Sequence, residues 1–389
     1  MAFSHLLKKD RAVGVDIGSA YIKVMAIEPS GSGFRVTRAA VIPTPADACR
    51  DGLVSDISAV AGALKDALRK AEMQANTAIA AVSGSQVLVR HVQVPKMAEA
   101  VLRKSIRFEA AKYISSGVDD CLVEFEIINP DTGDGQMQVM LVAAPRDLVE
   151  SKVAVIEAAG LEPTVVDVEA FALMRSLVEF SLTAEVANAT VALVDMGAGH
   201  TDLNIVSAGR FALTRNIPIA GNSLTQAIKS MTGVDDHLAD ELKQKVRIGP
   251  IEDQDDEPDE NVIKAARAIQ PLLDELLREI RRSLHYYQSQ FPEGSPQAQV
   301  NRLLLSGGTS RMAGLPEYIS ARLNVRAERI NLLTDGTIAS GSLDSFTVDQ
   351  EGPLYPVSIG LALKNFTAPK ASSAPAPVKE APEKQQKAA

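Results

Sequence analysis

Three short stretches of the 389-residue chain carry residue types that could do chemistry together. In VGVDIGSAYIKV, residues 13–24, an apolar strand runs into Asp16, Gly18 and Ser19 and turns apolar again around Lys23. In VDMGAGHTDL, residues 194–203, Asp195, Gly197, Gly199 and Thr201 sit in the same kind of frame. In LLSGGTSRMAGL, residues 304–315, Gly307, Gly308 and Thr309 lie between an apolar strand and a helix. A glycine at a hairpin tip lets backbone N–H groups come close to a phosphate, while a serine hydroxyl and a lysine add a donor and a compensating charge. A carboxylate repels the same phosphate. Its work is instead to hold a hydrated Mg²⁺, a small cation that keeps several waters and takes only one or two carboxylates besides phosphate oxygens. Two such tips facing each other would clamp one polyphosphate, and the glycines of the third turn would let a flat base or ribose reach the main chain.

Taken singly, each stretch is weak. Asp-x-Gly after a strand is commonly a turn closed by the aspartate side chain, and Gly-Gly before a helix is commonly structural. Lys23 alone would read as a solvated strand lysine, and His200 reads as an incidental polar residue of its loop. The order of all three, together with a repeat, outweighs those readings. Aligning Asp16 with Asp195 superposes Gly18 on Gly197 and matches a three-strand meander around each, a duplication that implies two related domains facing one another.

The elements that would position these tips alternate from residue 12 to about 365. AVGVDIG, AYIKVMAIE and GFRVTRAAVIPTP read as three strands, with turns at Gly18 and at PSGSG. DISAVAGALKDALRKAEM has apolar residues at helical spacing, with Ser55 or Asp56 placed to cap it, and TAIAAVSG follows as a buried strand. Between 85 and 166 the pattern changes to an α+β insert that includes the amphipathic helix AEAVLRKSIRFEAAKYI. The expected organisation is a first domain of residues 1–84 and 167–189, the insert at 85–166, and a second domain at 190–366 with a helical part at about 235–295. A tail at 367–389, rich in Ala, Pro, Lys and Glu, cannot bury enough surface to order itself. The acidic run EDQDDEPDE reads as a solvated loop rather than a metal site.

Composition narrows the function classes. The length exceeds what one hydrophobic core usually serves. A net charge of −9 with no basic stripe excludes a protein that lives on nucleic acid. Cys49 and Cys121 stand far apart without metal-site spacing, so reduced structural thiols and the cytoplasm are expected. MAFSHLLKKDRA lacks the pattern of a signal peptide and no apolar run reaches the length of a membrane span, so neither export nor direct membrane insertion is expected.

The order VDIGSAYIKV, VDMGAGHTDL, LLSGGTSRMAGL resembles the phosphate-one, phosphate-two and adenosine motifs of the actin, sugar-kinase and heat-shock-chaperone ATPase superfamily, over almost the whole ordered chain. The resemblance implies an α/β, actin-like fold, a duplicated ribonuclease H-like ATPase architecture. Actin and MreB carry a subdomain between the third strand and the first helix, but TPADACRDGLVSD leaves no room for one. The extra α+β subdomain follows the fourth strand instead, as in FtsA. Within the superfamily the chain is most similar to the PilM family of type IV pilus assembly. That similarity rests on RKSIRFEAAKYI, on Asp167, Glu169, Ala172 and Leu173 in a DxExxAL stretch, and on AGNSLTQAI followed by ADELK. Ala220 stands where that family commonly has glycine, and Asp240 where it has glutamate. The C-terminal APAPVKEAPEKQQKAA lacks the apolar face of the membrane-binding helix that ends FtsA.

Carried over residue by residue, the resemblance implies ATP and Mg²⁺ as cofactors. Asp16, Gly18, Ser19 and Lys23 match the first phosphate motif, and Asp195, Gly197, Gly199 and Thr201 the second, with Asp16 and Asp195 at the metal. Gly307, Gly308 and Thr309 match the adenosine motif, while Gly221, Asp240 and Lys243 border the nucleoside. Glu169 matches the superfamily residue that orients the attacking water, and reads equally as a carboxylate favoured at a helix N-terminus by the dipole. Slow or negligible turnover is therefore expected, with nucleotide acting as a conformational ligand. The implied role is a cytoplasmic scaffold at the inner membrane, recruited by the N-terminal cytoplasmic tail of a PilN-like single-span protein, with pilus motor ATPases as further partners. The tail would lie extended in a groove between the first domain and the insert. An FtsA-like division protein is the nearer rival. A small-molecule kinase is the further one, disfavoured because no carboxylate beyond the clamp residues and Glu169 is ready to act as a substrate base.

Overall fold

The computed structural model describes residues 12–366 apart from 32, 115–116, 181–185, 187, 250–258, 336–337 and 342. The N-terminal stretch, most of the acidic run and the tail lie outside the described residues.

Strands β1 (Val13–Ile17), β2 (Tyr21–Ser30) and β3 (Gly33–Pro43) form an antiparallel meander. All five residues of β1 are buried, as a strand covered on both faces requires. A short hairpin, β4 (Cys49–Arg50) and β5 (Leu53–Val54), leads into helix α1 (Ile57–Lys70). Its cap is Asp56, whose carboxylate accepts from the Ala59 N–H at 2.9 Å. The buried stripe Val60, Ala61, Leu64 and Ala67 lays α1 on the sheet, and β6 (Thr77–Val82) then enters parallel to β1.

Strand β7 (Leu88–Pro95), helix α2 (Glu99–Ala110), β8 (Cys121–Asn129) and β9 (Gln136–Pro145) build the insert, a sheet in the order β7-β9-β8 whose Val92, Val94, Met137, Val139 and Leu141 pack on Leu102 and Ile106 of α2. Helix α3 (Arg146–Ala158), β10 (Glu162–Val168) and α4 (Glu169–Met174) follow. The expected insert, 85–166, runs too far: β10 pairs in parallel with β6, and Val155 and Ile156 of α3 join the core under β1. Residues 146–166 therefore belong to the first domain.

The second half repeats the plan with β11 (Thr190–Met196), β12 (Thr201–Ser207), β13 (Arg210–Ile217), α5 (Gly221–Thr232), α6 (Asp236–Lys245), α7 (Glu260–Gln288), β14 (Arg302–Ser306), α8 (Leu315–Leu323) and β15 (Arg326–Arg329). Its sheet runs β13-β12-β11-β14-β15, and the first runs β3-β2-β1-β6-β10 in the same order. The chain then departs from expectation, because β16 (Ile338–Ala339) pairs with β3, and α9 (Pro356–Leu363) lies on β1. Every residue of α9 is buried, so it needs cover on all sides and finds it against the first sheet and α4 rather than within the second domain. Gly14 permits that approach: a Cβ there would come 2.3 Å from the Ser358 carbonyl oxygen. No helix among the described residues is long and apolar enough to cross a membrane.

Candidate functional site

In sheets with parallel strands, ligands collect beyond the carboxyl ends of those strands. Here the ends of β1, β6, β10, β11 and β14 converge on one cavity of about 290 Å³ between the two halves. All the sequence-predicted residues line it except Thr201. Strand alternation sends Thr201 to the opposite face from Asp202. It is fully buried, and its hydroxyl donates to the Ile219 carbonyl at 2.7 Å, tying β12 to the entrance of α5. Its assignment to the phosphate contacts is corrected accordingly.

At the first tip, the Gly18 N–H donates to the Tyr21 carbonyl at 3.0 Å, and Thr44 Oγ1 donates to the Gly18 carbonyl at 2.7 Å. Lys23 stands directly opposite Asp16 in the β1–β2 register and places Nζ 2.8 Å from Oδ2. Burial works against the Lys23 charge, but the charge and hydrogen bond of Asp16 outweigh it, and the ammonium pKa is raised.

The second tip has the same turn, with the Gly197 N–H donating to the His200 carbonyl at 3.1 Å. Asp195 accepts from Ser306 Oγ at 2.8 Å. Burial raises its pKa, partly offset by the Ser306 hydrogen bond and the Lys23 charge. Thr309 Oγ1 at 2.8 Å and the Gly221 N–H at 3.0 Å both donate to the Gly197 carbonyl, so the third loop and the start of α5 hold the second tip. Gly307 adopts φ +83°, and a Cβ on it would sit 2.6 Å from the Met196 carbonyl oxygen, which restricts the position to glycine. The tips meet: a Cβ on Gly199 would lie 2.9 Å from Ser19 Oγ.

On the far side of the cavity Lys243 Nζ donates to Thr225 Oγ1 at 2.8 Å and pairs with Asp240. Burial opposes ionisation of Asp240, but Lys243 outweighs it and holds its pKa below the usual value. The donor set fits a hydrated Mg²⁺. Asp16 commits only Oδ2 to Lys23 and Asp195 only Oδ1 to Ser306, which leaves one carboxylate oxygen on each without a hydrogen bond among the described residues.

Sequence reasoning missed one group. His200 is no incidental loop residue: Nε2 lies 3.1 Å from Asp202 Oδ2, and Asn216 Nδ2 donates to Asp202 Oδ1 at 2.9 Å. Burial disfavours the imidazolium, yet the hydrogen bond and charge of Asp202, backed by Glu169 and Asp195, push its pKa up to about 9. Glu169, the first residue of α4, is pushed up to about 7 by burial and then by the Asp16 charge. Glu169, His200 and Asp202 offer ligand atoms within 4.8 Å of one another. The available signal was the duplication itself, since Asp202 occupies the register position opposite Asp195 that Lys23 occupies opposite Asp16.

A second cavity of about 290 Å³ opens behind Glu169, which lines both cavities together with Ser83. It is bounded by Leu88 and Val89 of β7 and by Thr214, Arg215 and Asn216 of β13. Each of these strands is outermost in its own sheet and so keeps an edge that no strand among the described residues pairs.

Residues 14–366 match the family model described as type IV pilus assembly protein PilM. The structure of a PilM-PilN type IV pilus biogenesis complex contains a chain similar to this one, with a TM-score of 0.78 and 27% identity over 91% of this chain and 98% of that chain. Ethanolamine utilization protein EutJ from Carboxydothermus hydrogenoformans shares the fold at a TM-score of 0.53 and 17% identity, over 92% of this chain and 90% of its own. Cell division protein FtsA of Pseudomonas aeruginosa is 24% identical over 403 residues, 90% of this chain and 88% of its own.

Proposed function

The chain belongs to the PilM family of type IV pilus assembly proteins and has the actin-like fold, and from that premise we propose that it is an ATP-binding scaffold of the pilus machinery. One observation carries the nucleotide reading: two duplicated hairpin tips meet across a cavity, each with an uncommitted carboxylate oxygen beside a glycine turn. The N–H groups around Gly18 and Gly197, with Ser19 and Lys23, would hold the phosphates. Gly307, Gly308 and Thr309 would receive the ribose and base, bordered by Gly221, Asp240 and Lys243. Asp16 and Asp195 would hold Mg²⁺ through its waters, and the ion would offset the excess of carboxylates. Glu169 has no hydrogen-bond or ion-pair partner among the described residues, which leaves it able to orient a water. It is a single group, so turnover should fall far below the enzyme median of about 10 per second.

The partner named with the similar protein is PilN. For this chain we assign a PilN-like inner-membrane protein, whose cytoplasmic N-terminal tail would lie extended in the second cavity and pair with the free edge of β7 or β13. Attachment to the inner membrane would run through that tail, and motor ATPases would be reached through the same complex.

The test is ligand protection. ATP with Mg²⁺ should stabilise the fold by about 2.7 kcal/mol at a hundredfold excess over Kd, and Asp16→Ala or Asp195→Ala should abolish the rise in melting temperature. Full protection in both variants would refute the site. A peptide of the partner tail should bind the wild-type chain and lose affinity for Ser85→Arg, a change at the second cavity; equal binding would remove the groove reading.

A further inference from the structure

Helix α3 carries a lysine on its buried stripe. Leu148, Val155 and Ile156 face the core, and Lys152 sits among them with only 1% of its surface exposed. Its Nζ donates to the carbonyl of Ile17, 135 positions away in the chain, at 2.8 Å. No carboxylate pairs with it among the described residues. A buried ammonium without a counter-ion is costly, so a fold that keeps one needs a reason.

The reason lies in what Ile17 does. The Ile17–Gly18 peptide is the entrance to the first tip, and it is gripped from both sides: Lys152 holds its carbonyl, and its N–H donates to the Tyr21 carbonyl at 3.0 Å. The charge also reaches the cleft, where Lys152 acts to lower the pKa of both Glu169 and Cys49 against the effect of burial. Both residues line the cavity. A polyanion seated at the tip would add counter-charge to that of Glu169.

We propose that Lys152 is a positioning residue of the cleft, a buried cation beneath the first tip that fixes its backbone and favours ligands according to the number of phosphates they bring. This rests on the reading of the cleft as a nucleotide site. Lys152 lies outside every sequence motif of the cleft, in α3 of the first domain.

The test compares ATP, ADP and adenosine, each titrated calorimetrically with Mg²⁺ into wild type, Lys152→Met and Lys152→Gln. Lys152→Met should weaken ATP by at least about tenfold, ADP by less, and adenosine hardly at all, because a lost charge is felt in proportion to ligand charge. Lys152→Gln keeps a donor for the Ile17 carbonyl and should lose less ATP affinity than Lys152→Met. If Lys152→Met does not fold, Lys152→Gln carries the same three-ligand comparison. Equal losses for all three ligands, or an unchanged ATP affinity, would overturn the inference. A wild-type chain that binds no ATP would instead overturn the nucleotide reading beneath it.

Discussion

At the first tip Asp16 stands opposite Lys23, and the pair closes on itself at 2.8 Å. At the second, the same register sets Asp195 opposite Asp202, two carboxylates with no lysine between them. The backbone of the two turns is the same, with closing hydrogen bonds of 3.0 and 3.1 Å. Their electrostatics differ. The first tip pairs Asp16 with a lysine of its own hairpin, whereas in the second His200 of the same turn pairs with Asp202 and Asp195 accepts from Ser306 of β14. A duplicated fold has thus kept the geometry of the turn and divided the charge between the copies. The second tip is bound to its surroundings: β14, the third loop and α5 all hold it.

Breaking the ion pair of the first tip should cost most. Lys23→Met leaves Asp16 buried and unpaired, and should lower stability in urea denaturation by about 3–5 kcal/mol. A loss no larger than that of Ser306→Ala at the second tip would show that the Asp16–Lys23 pair does not carry the first tip.

Next in size is a pH effect confined to the second tip. The folded pKa of His200, about 9, stands above its ordinary value of 6.5, so the stabilisation by its proton is complete below pH 6.5 and is lost as pH rises through 9. The fall should reach at most about 3 kcal/mol, and His200→Gln should flatten it. Glu169 acts in the same direction at lower pH: its folded pKa of about 7 exceeds 4.5, so its favourable contribution fades between those values. A pH profile that His200→Gln leaves unchanged would mean that Asp202 does not hold the imidazolium.

The smallest effect belongs to the borrowed partner. Ser306→Ala removes one hydrogen bond from Asp195 and should cost about 1.5 kcal/mol in the same denaturation experiment. A cost equal to that of Lys23→Met would erase the distinction between the tips.

The carboxylates and tip glycines were legible because their work is local: an Asp-x-Gly turn and its strands are written within about ten residues of sequence. Lys152 was not, since its partner Ile17 lies 135 positions away and is met only when α3 packs on the sheet, and the hold on Asp202 was not, since it depends on Asn216 brought alongside by β13. Thr201 was misread for a related reason. The resemblance set it among the phosphate contacts, but the alternation of β12 turned it into the core. The domain limits failed at β10 and α9, where apolar composition announces burial without saying which sheet will supply the partner.

The most direct test of the clamp is a crystal structure grown with a non-hydrolysable ATP analogue and Mn²⁺ in place of Mg²⁺, with the metal located by its anomalous signal. The account predicts a peak between the tips, with Asp16 and Asp195 holding the ion directly or through its waters and the phosphates seated on the N–H groups near Gly18 and Gly197. Phosphates and metal bound elsewhere, with the space between the two tips filled only by water, would contradict it.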